Sequence, residues 1–237
     1  MIDMTFHDPT PDRAPSPGWL TREEMIEVDR VMIDELGIGL MQMMENAGRN
    51  LAQLAIERYR PTSVSVCVGS GGNGGGGMVA ARHLANRGVD VTVVPARSGD
   101  ELSGVPKHQF DVLTRMELAV GDFVRQADLL IDAVIGYSLR GAPTGRSAEL
   151  IAAMNSAGAP VLTLDIPSGV DATTGETPGE HVNAEATLTL AAPKFGLNST
   201  PGVGELFVAD ISVPPAVLAR LGHPAPDFSS SPIVRVA

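Results

Sequence analysis

Val64-Ser65-Val66-Cys67-Val68-Gly69-Ser70-Gly71-Gly72-Asn73-Gly74-Gly75-Gly76-Gly77-Met78-Val79-Ala80-Ala81 sets the fold class. Val64, Val66 and Val68 alternate with small residues, as a strand does, and run into glycine. Met78, Ala81 and Leu84 then recur at helical spacing, so Gly77 to Gly88 reads as a helix. Strand, glycine loop and helix in that order open an α/β unit.

Downstream the same grammar repeats. Val89 to Val94 predicts a strand and Val105 to Met116 a helix. Asp128 to Val134 is a buried strand, Ser147 to Ala157 a helix and Val161 to Asp165 a strand. Ala186 to Ala192 and Glu205 to Ile211 add two more strands. Strands alternating with helices imply parallel pairing, right-handed crossovers and helices on both faces, hence one three-layer α/β domain. Upstream, Thr21 with Glu24 forms a capping-box pattern, and Met25, Val28, Met32 and Leu36 follow at helical spacing. Gly37 and Gly39 separate this helix from a second, Leu40 to about Tyr59, whose packed face offers Met44, Ala47, Leu51 and Ile56. The methionine-rich pair reads as core or subunit contact packed beside the domain. Residues 1–18 read as a flexible start, 19–222 as the domain, and 223–237 as a flexible tail.

The 237 residues carry 17 Lys and Arg against 28 Asp and Glu, a net charge of −11. That balance argues against affinity for nucleic acid or an anionic membrane. No apolar run approaches the ~20 residues a membrane span needs, and no signal-peptide pattern opens the chain, which reads as a cytoplasmic protein. A single cysteine, Cys67, excludes a disulfide framework and a thiolate metal cage.

In an open parallel sheet, ligands bind beyond the carboxyl ends of the strands. Those ends hold Gly69 to Gly77, Asp132 to Gly141, Asp165 to Gly169 and Pro193 to Gly196, which contain most of the unusual residues. The glycine run allows close approach of a ligand to the backbone, and the following helix offers free N–H groups to phosphate. Asn73 is its one amide side chain, able to coordinate a cation or orient a ligand. Asp132 closes an apolar strand, where a carboxylate is costly unless paired or bound to a cation. Asp165 closes another, stiffened by Pro167 and Gly169, and can serve as acid or base; Ser168 beside it offers a hydroxyl. Lys194, one of two lysines, can offset Asp165, contact phosphate or snorkel to water. After the second strand come Pro95, Ala96 and Arg97, where a dinucleotide fold usually places a ribose-binding acid. Arg97 is either a partner for a 2′-phosphate or a solvated loop residue. Oxygen donors without imidazole or thiolate suit a hard cation.

These residues resemble the YjeF N-terminal family, whose enzymatic members are NAD(P)H-hydrate epimerases. The resemblance runs from about Trp19 to Pro214 and keeps the family's order: Met44-Glu45-Asn46-Ala47-Gly48, the glycine loop with Val79-Ala80-Ala81-Arg82, Asp132 to Arg146, Asp165-Ile166-Pro167-Ser168-Gly169, and Ala192-Pro193-Lys194. It implies a Rossmann-like three-layer α/β/α sandwich with a mostly parallel sheet and extra N-terminal helices. It also implies an isomerase that interconverts the R and S epimers of hydrated NADH and NADPH in cofactor repair. Carried over by position, Gly72, Asn73, Gly74, Gly75 and Gly76, together with Gly136, Tyr137, Ser138, Leu139, Arg140, Gly141 and Ala142, line the substrate. Asp165 contacts it as acid or base, and Lys194 matches the family's Pro-Lys position. Asn73, Asp132 and Ser168 match the ligands of one potassium ion (K+) per subunit. A homodimer and a separate ADP- or ATP-dependent dehydratase downstream are the implied partners.

The chain departs from the family pattern at three places. Gly72 stands where Asn is usual, Gly76 where Asp is usual, and Gly136-Tyr137-Ser138 replaces Gly-Thr-Gly. Each lost side chain removes a hydrogen-bond partner worth about 0.5–1.5 kcal/mol net. Two other readings stay open: a non-catalytic nucleotide-binding module of the same fold, and an NADP-dependent oxidoreductase using the glycine loop and Arg97.

Overall fold

The computed structural model describes residues 18–198 and 200–236; of the flexible start expected at 1–18, residues 1–17 lie outside them. Thr21 caps the first helix, α1 (Arg22–Arg30), through the reciprocal bonds expected of a capping box. The helix does not continue regularly to Leu36. Val31–Glu35 is a single π turn, in which the Leu36 N–H reaches Val31 O at 3.0 Å. The wider turn rotates the following side chains by part of a turn. Leu36, expected on the packed face, is therefore 48% exposed. After Gly37 and Gly39 comes α2 (Leu40–Tyr59).

The strand β1 (Ser63–Val68) leads into α3 (Gly72–Ala85), then β2 (Asp90–Pro95), α4 (Gly104–Arg115), a short β3 (Ala119–Val120) and β4 (Leu129–Ala133). There follow α5 (Gly145–Ser156), β5 (Val161–Leu164), β6 (Ala186–Leu190), β7 (Glu205–Ala209), α6 (Pro215–Arg220) and β8 (Ile233–Arg235). The strands form one sheet of order β3-β2-β1-β4-β5-β6-β7-β8, parallel except for β8.

The alternation in β1 sorts its side chains between two cores. Val64, Val66 and Val68 face α2, α3 and α4 through Leu51, Leu54, Met78, Leu84 and Leu113. Cys67 and Leu130 face α5 through Leu150, Ile151 and Met154. These are the helical layers on either side of the sheet. A third core packs Met25, Val28, Met32 and Met43 against Ile211, Val217 and Leu218, which seats α1 and α2 over the carboxyl ends of the later strands.

The helix expected to begin at Gly77 begins at Gly72, so the glycines are its first turns. Packing explains their use. A Cβ at Gly77 would sit 2.5 Å from Ala133 Cβ, and one at Gly48 would sit 2.4 Å from Gly76 O. The missing side chains let α3 press onto both the sheet and α2. Glycine costs a helix roughly 0.5–1 kcal/mol per residue, so the first turns of α3 depend on these contacts.

The tail expected loose from 223 is held in place. His223 Nε2 lies 3.0 Å from Glu24 Oε1, the Asp210 N–H donates to Pro232 O at 2.8 Å, and β8 pairs antiparallel with β7. Ile233 is buried in the α2–α4 core. Among the described residues no helix is long and apolar enough to cross a membrane.

Candidate active site

β1 and β4 deliver the glycine run and residues 134–138 to one rim, β5 delivers Asp165 and β6 Leu190. Together they line a cleft of about 810 Å³ roofed by α1 and α2; residues 193–196 are not on its wall. Gly72, Asn73, Gly76, Gly136, Tyr137, Ser138 and Asp165 are on its wall, as read from the sequence.

Asp165 follows directly on β5 with φ of 68°, a left-handed conformation that a non-glycine residue holds only under constraint from its surroundings. Its N–H donates to Leu188 O at 2.8 Å, and its carboxylate is turned toward the cleft. Oδ1 accepts from Lys194 Nζ at 2.6 Å, Thr189 Oγ1 at 3.3 Å and Leu190 N at 3.4 Å. Oδ2 accepts from the Tyr137 N–H at 3.2 Å. One oxygen is thus committed to the protein, and the other keeps lone-pair capacity for a ligand.

Lys194 corrects the expectation of a substrate contact. It is fully buried, and its ammonium donates to Asp165, to Thr189 Oγ1 at 3.1 Å and to Leu190 O at 2.6 Å. Its three protons are spent inside the protein, so it holds Asp165 and has none left for phosphate.

Asp132 is completely buried below the cleft. Oδ1 accepts from Ser168 Oγ at 2.6 Å and Val134 N at 3.1 Å; Oδ2 accepts from Ser168 N at 2.8 Å and Thr163 Oγ1 at 3.1 Å. Burial pushes its pKa up, opposed by the bonds from Ser168, Val134 and Thr163. The Ser168 hydroxyl has a second acceptor in Ile135 O at 3.2 Å, so it can turn away and free Oδ1. Asn73 Oδ1 and Nδ2 are buried with no protein partner. The orphaned Asn73 amide oxygen, the Asp132 carboxylate and the Ser168 hydroxyl are all oxygen donors, the chemistry a hard cation takes.

Other expected contacts are turned elsewhere. Gly74 and Gly75 are not on the cleft wall, because they pack on Gly69 O and Met44. The loop dips inward at the buried Leu139, and Arg140, Gly141 and Ala142 then face outward. It returns to the cleft at Thr144 to Ser147.

The sequence reading missed the N-terminal helical wall. Met25, Asp29, Ile33, Leu40, Met43 and Met44 all face the cleft. Tyr137 donates its hydroxyl to Asp29 Oδ2. Burial pushes the Asp29 pKa up and the phenol's bond opposes it; the Lys194 charge lowers it further and that of Asp165 raises it. The Tyr137 hydroxyl is itself pushed up, by burial and then by Asp29. A carboxylate in line with Met25 and Ile33, four residues to either side, was the available signal. Arg97 reaches the opposite end of the cleft, paired with Glu101 at 3.5 Å, and Arg146 is there as well.

The family described as YjeF-related protein N-terminus matches residues 40–196. The chain belongs to this family. The protein from Dehalogenimonas lykanthroporepellens named NAD(P)H-hydrate epimerase is 48% identical over 215 residues, covering 86% of this chain and 85% of that protein. One of the same name from Truepera radiovictrix is 37% identical, covering 84% and 92%. The Bifunctional NAD(P)H-hydrate repair enzyme Nnr of Hyperthermus butylicus is 41% identical over 82% of this chain, which spans 39% of that protein. The crystal structure of the yeast protein YNL200c shares the fold, with a TM-score of 0.79 at 23% identity over 92% of this chain and 99% of its own.

Proposed function

We propose that this chain is a cytoplasmic NAD(P)H-hydrate epimerase that interconverts the R and S epimers of hydrated NADH and NADPH. Its membership in the family and the names of the relatives support the substrate. The carrying observation is Asp165: a carboxylate fixed by a buried lysine on one oxygen and open to a dinucleotide-sized cleft on the other. Epimerisation at C6 requires the C6–oxygen bond to break and re-form. Asp165 moves the proton at that oxygen while the ring nitrogen's lone pair assists cleavage. The first turn of α3 presents backbone N–H groups to the diphosphate.

Asn73, Asp132 and Ser168 would hold one K+ per subunit, which would supply positive charge beneath an anionic coenzyme. The partnerless Asn73 amide and the all-oxygen donor set support this assignment. An ADP- or ATP-dependent dehydratase would act downstream, a companion activity that the relatives named bifunctional NAD(P)H-hydrate repair enzymes support. Ile26, Leu36 and Met41 are exposed along the N-terminal helices and support self-association as a homodimer.

The test is chromatographic separation of the two epimers after incubation with the purified chain. We expect equilibration at least about 100-fold faster than without protein, lost in Asp165→Asn and slowed when potassium is replaced by a bulky organic cation. No acceleration with potassium present overturns the proposal.

A further inference from the structure

Asp29 is a second carboxyl on the wall of the cleft that holds Asp165. Tyr137 ties the two together: its main-chain N–H donates to Asp165 Oδ2 at 3.2 Å, and its hydroxyl donates to Asp29 Oδ2. Tyr137 thus bridges the two carboxyls, and all three residues line the same cleft. Their settings differ. Asp165 is ion-paired with Lys194, whereas Asp29 is bonded to an uncharged phenol among Met25, Ile33 and Met43. Two carboxyls in unlike surroundings divide naturally into acid and base. In inverting glycosidases a separation of about 6.5–9.5 Å leaves room for water on the far face of the sugar ring.

Resting on the epimerase reading, we propose that Asp29 and Asp165 act on opposite faces of the hydrated nicotinamide ring. In one direction Asp29 gives its proton to the C6 hydroxyl. The C6–O bond breaks, water departs, and the nitrogen lone pair forms the N1=C6 bond. A solvent water then adds to the other face. Its oxygen bonds C6, the N1=C6 π electrons return to nitrogen, and Asp165 takes the released proton. One water leaves and one enters, with no change in oxidation state. Asp29 ends as carboxylate and Asp165 as acid, which is the starting state for the opposite epimer. Burial, which favours the neutral form of Asp29, suits the proton-donor role. Tyr137 is the positioning residue.

The experiment runs the parent chain, Asp29→Asn, Asp29→Glu and Tyr137→Phe side by side in heavy-oxygen water. It follows epimer exchange by chromatography, label uptake at C6 by mass spectrometry, substrate affinity by calorimetry and folding by thermal melt. We expect one label incorporated per epimerisation in the parent. For Asp29→Asn we expect at least about a 100-fold loss of turnover, with affinity within about threefold and the melt retained. Asp29→Glu should recover part of the rate, and Tyr137→Phe should lose about tenfold. Asp29→Asn exchanging within about threefold of the parent overturns the pairing. So does parental exchange without label, which signals ring opening with the oxygen retained. So does a loss in Asp29→Asn explained wholly by affinity. If Asp29→Asn does not fold, Asp29→Glu, Tyr137→Phe and the parental label decide the matter. A parent that does not epimerise removes the proposed function as well, so the two failures are distinguishable.

Discussion

Lys194 and Asp165 form an ion pair at 2.6 Å with almost no solvent exposure on either side. Removing one member of such a pair strands a buried charge and costs about 3–5 kcal/mol. Lys194→Met should lose about that much stability in urea titration, along with epimerisation; a loss under about 1 kcal/mol would show that Asp165 is not charge-dependent on it. Asp165 and Asp132 could be found from sequence because each carboxylate ends an apolar strand, where burial demands a reason. For Lys194, offsetting Asp165 was one of three open readings, because a lysine after proline is equally consistent with phosphate contact or a turn to water. Only the coordinates show its protons already taken. Asp29 escaped notice because Met25, Val28 and Met32 around it read as a helix-to-core stripe. That the stripe's edge also forms a cleft wall is a long-range fact about where α1 is seated.

At the scale of elements, α3 carries the clearest prediction. Gly77→Ala adds a methyl 2.5 Å from Ala133 Cβ, and overpacking of this kind costs about 1–3 kcal/mol, more than the helix propensity it gains. Gly72→Ala meets only Met44 Cε at 3.6 Å and should fall within about 0.5 kcal/mol of the parent. Equal effects in denaturant titration would deny that packing selects these glycines. The helix start at Gly72 was unreadable for the same reason: propensity disfavours glycine, and tertiary contact overrides it. The π turn at Val31–Glu35 leaves no mark in the hydrophobic spacing. Its last residue is tied across the fold, since Arg220 and then Arg30 hold the Glu35 carboxyl down to about 2. A depressed acid contributes stability above its unfolded value, about 4.3, and loses it as pH falls toward 2. Carboxyl NMR should show Glu35 titrating near the lower value, and moving up in Arg220→Ala. An unchanged titration in that variant would remove the tie.

Over the whole molecule, periodicity reached the α/β class and the parallel sheet because short, buried apolar strands alternate with helices as far as β5. β3 and β8 were beyond it. They are two and three residues long, and β8 follows a stretch rich in proline and serine whose docking depends on β7 being an open edge. The exposed apolar side chains on the N-terminal helices belong to this scale too. Sedimentation should find a dimer at micromolar concentration that Leu36→Asp converts to monomer. A parent chain monomeric throughout that range would contradict the self-association. The proposed chemistry turns on where a bound ring lies. A crystal structure soaked with hydrated nicotinamide dinucleotide tests this directly. It should place the C6 hydroxyl within hydrogen-bond reach of Asp165 Oδ2, with the diphosphate on the first turn of α3. A dinucleotide bound in this cleft with its adenine, rather than its nicotinamide, against Asp165 would contradict it.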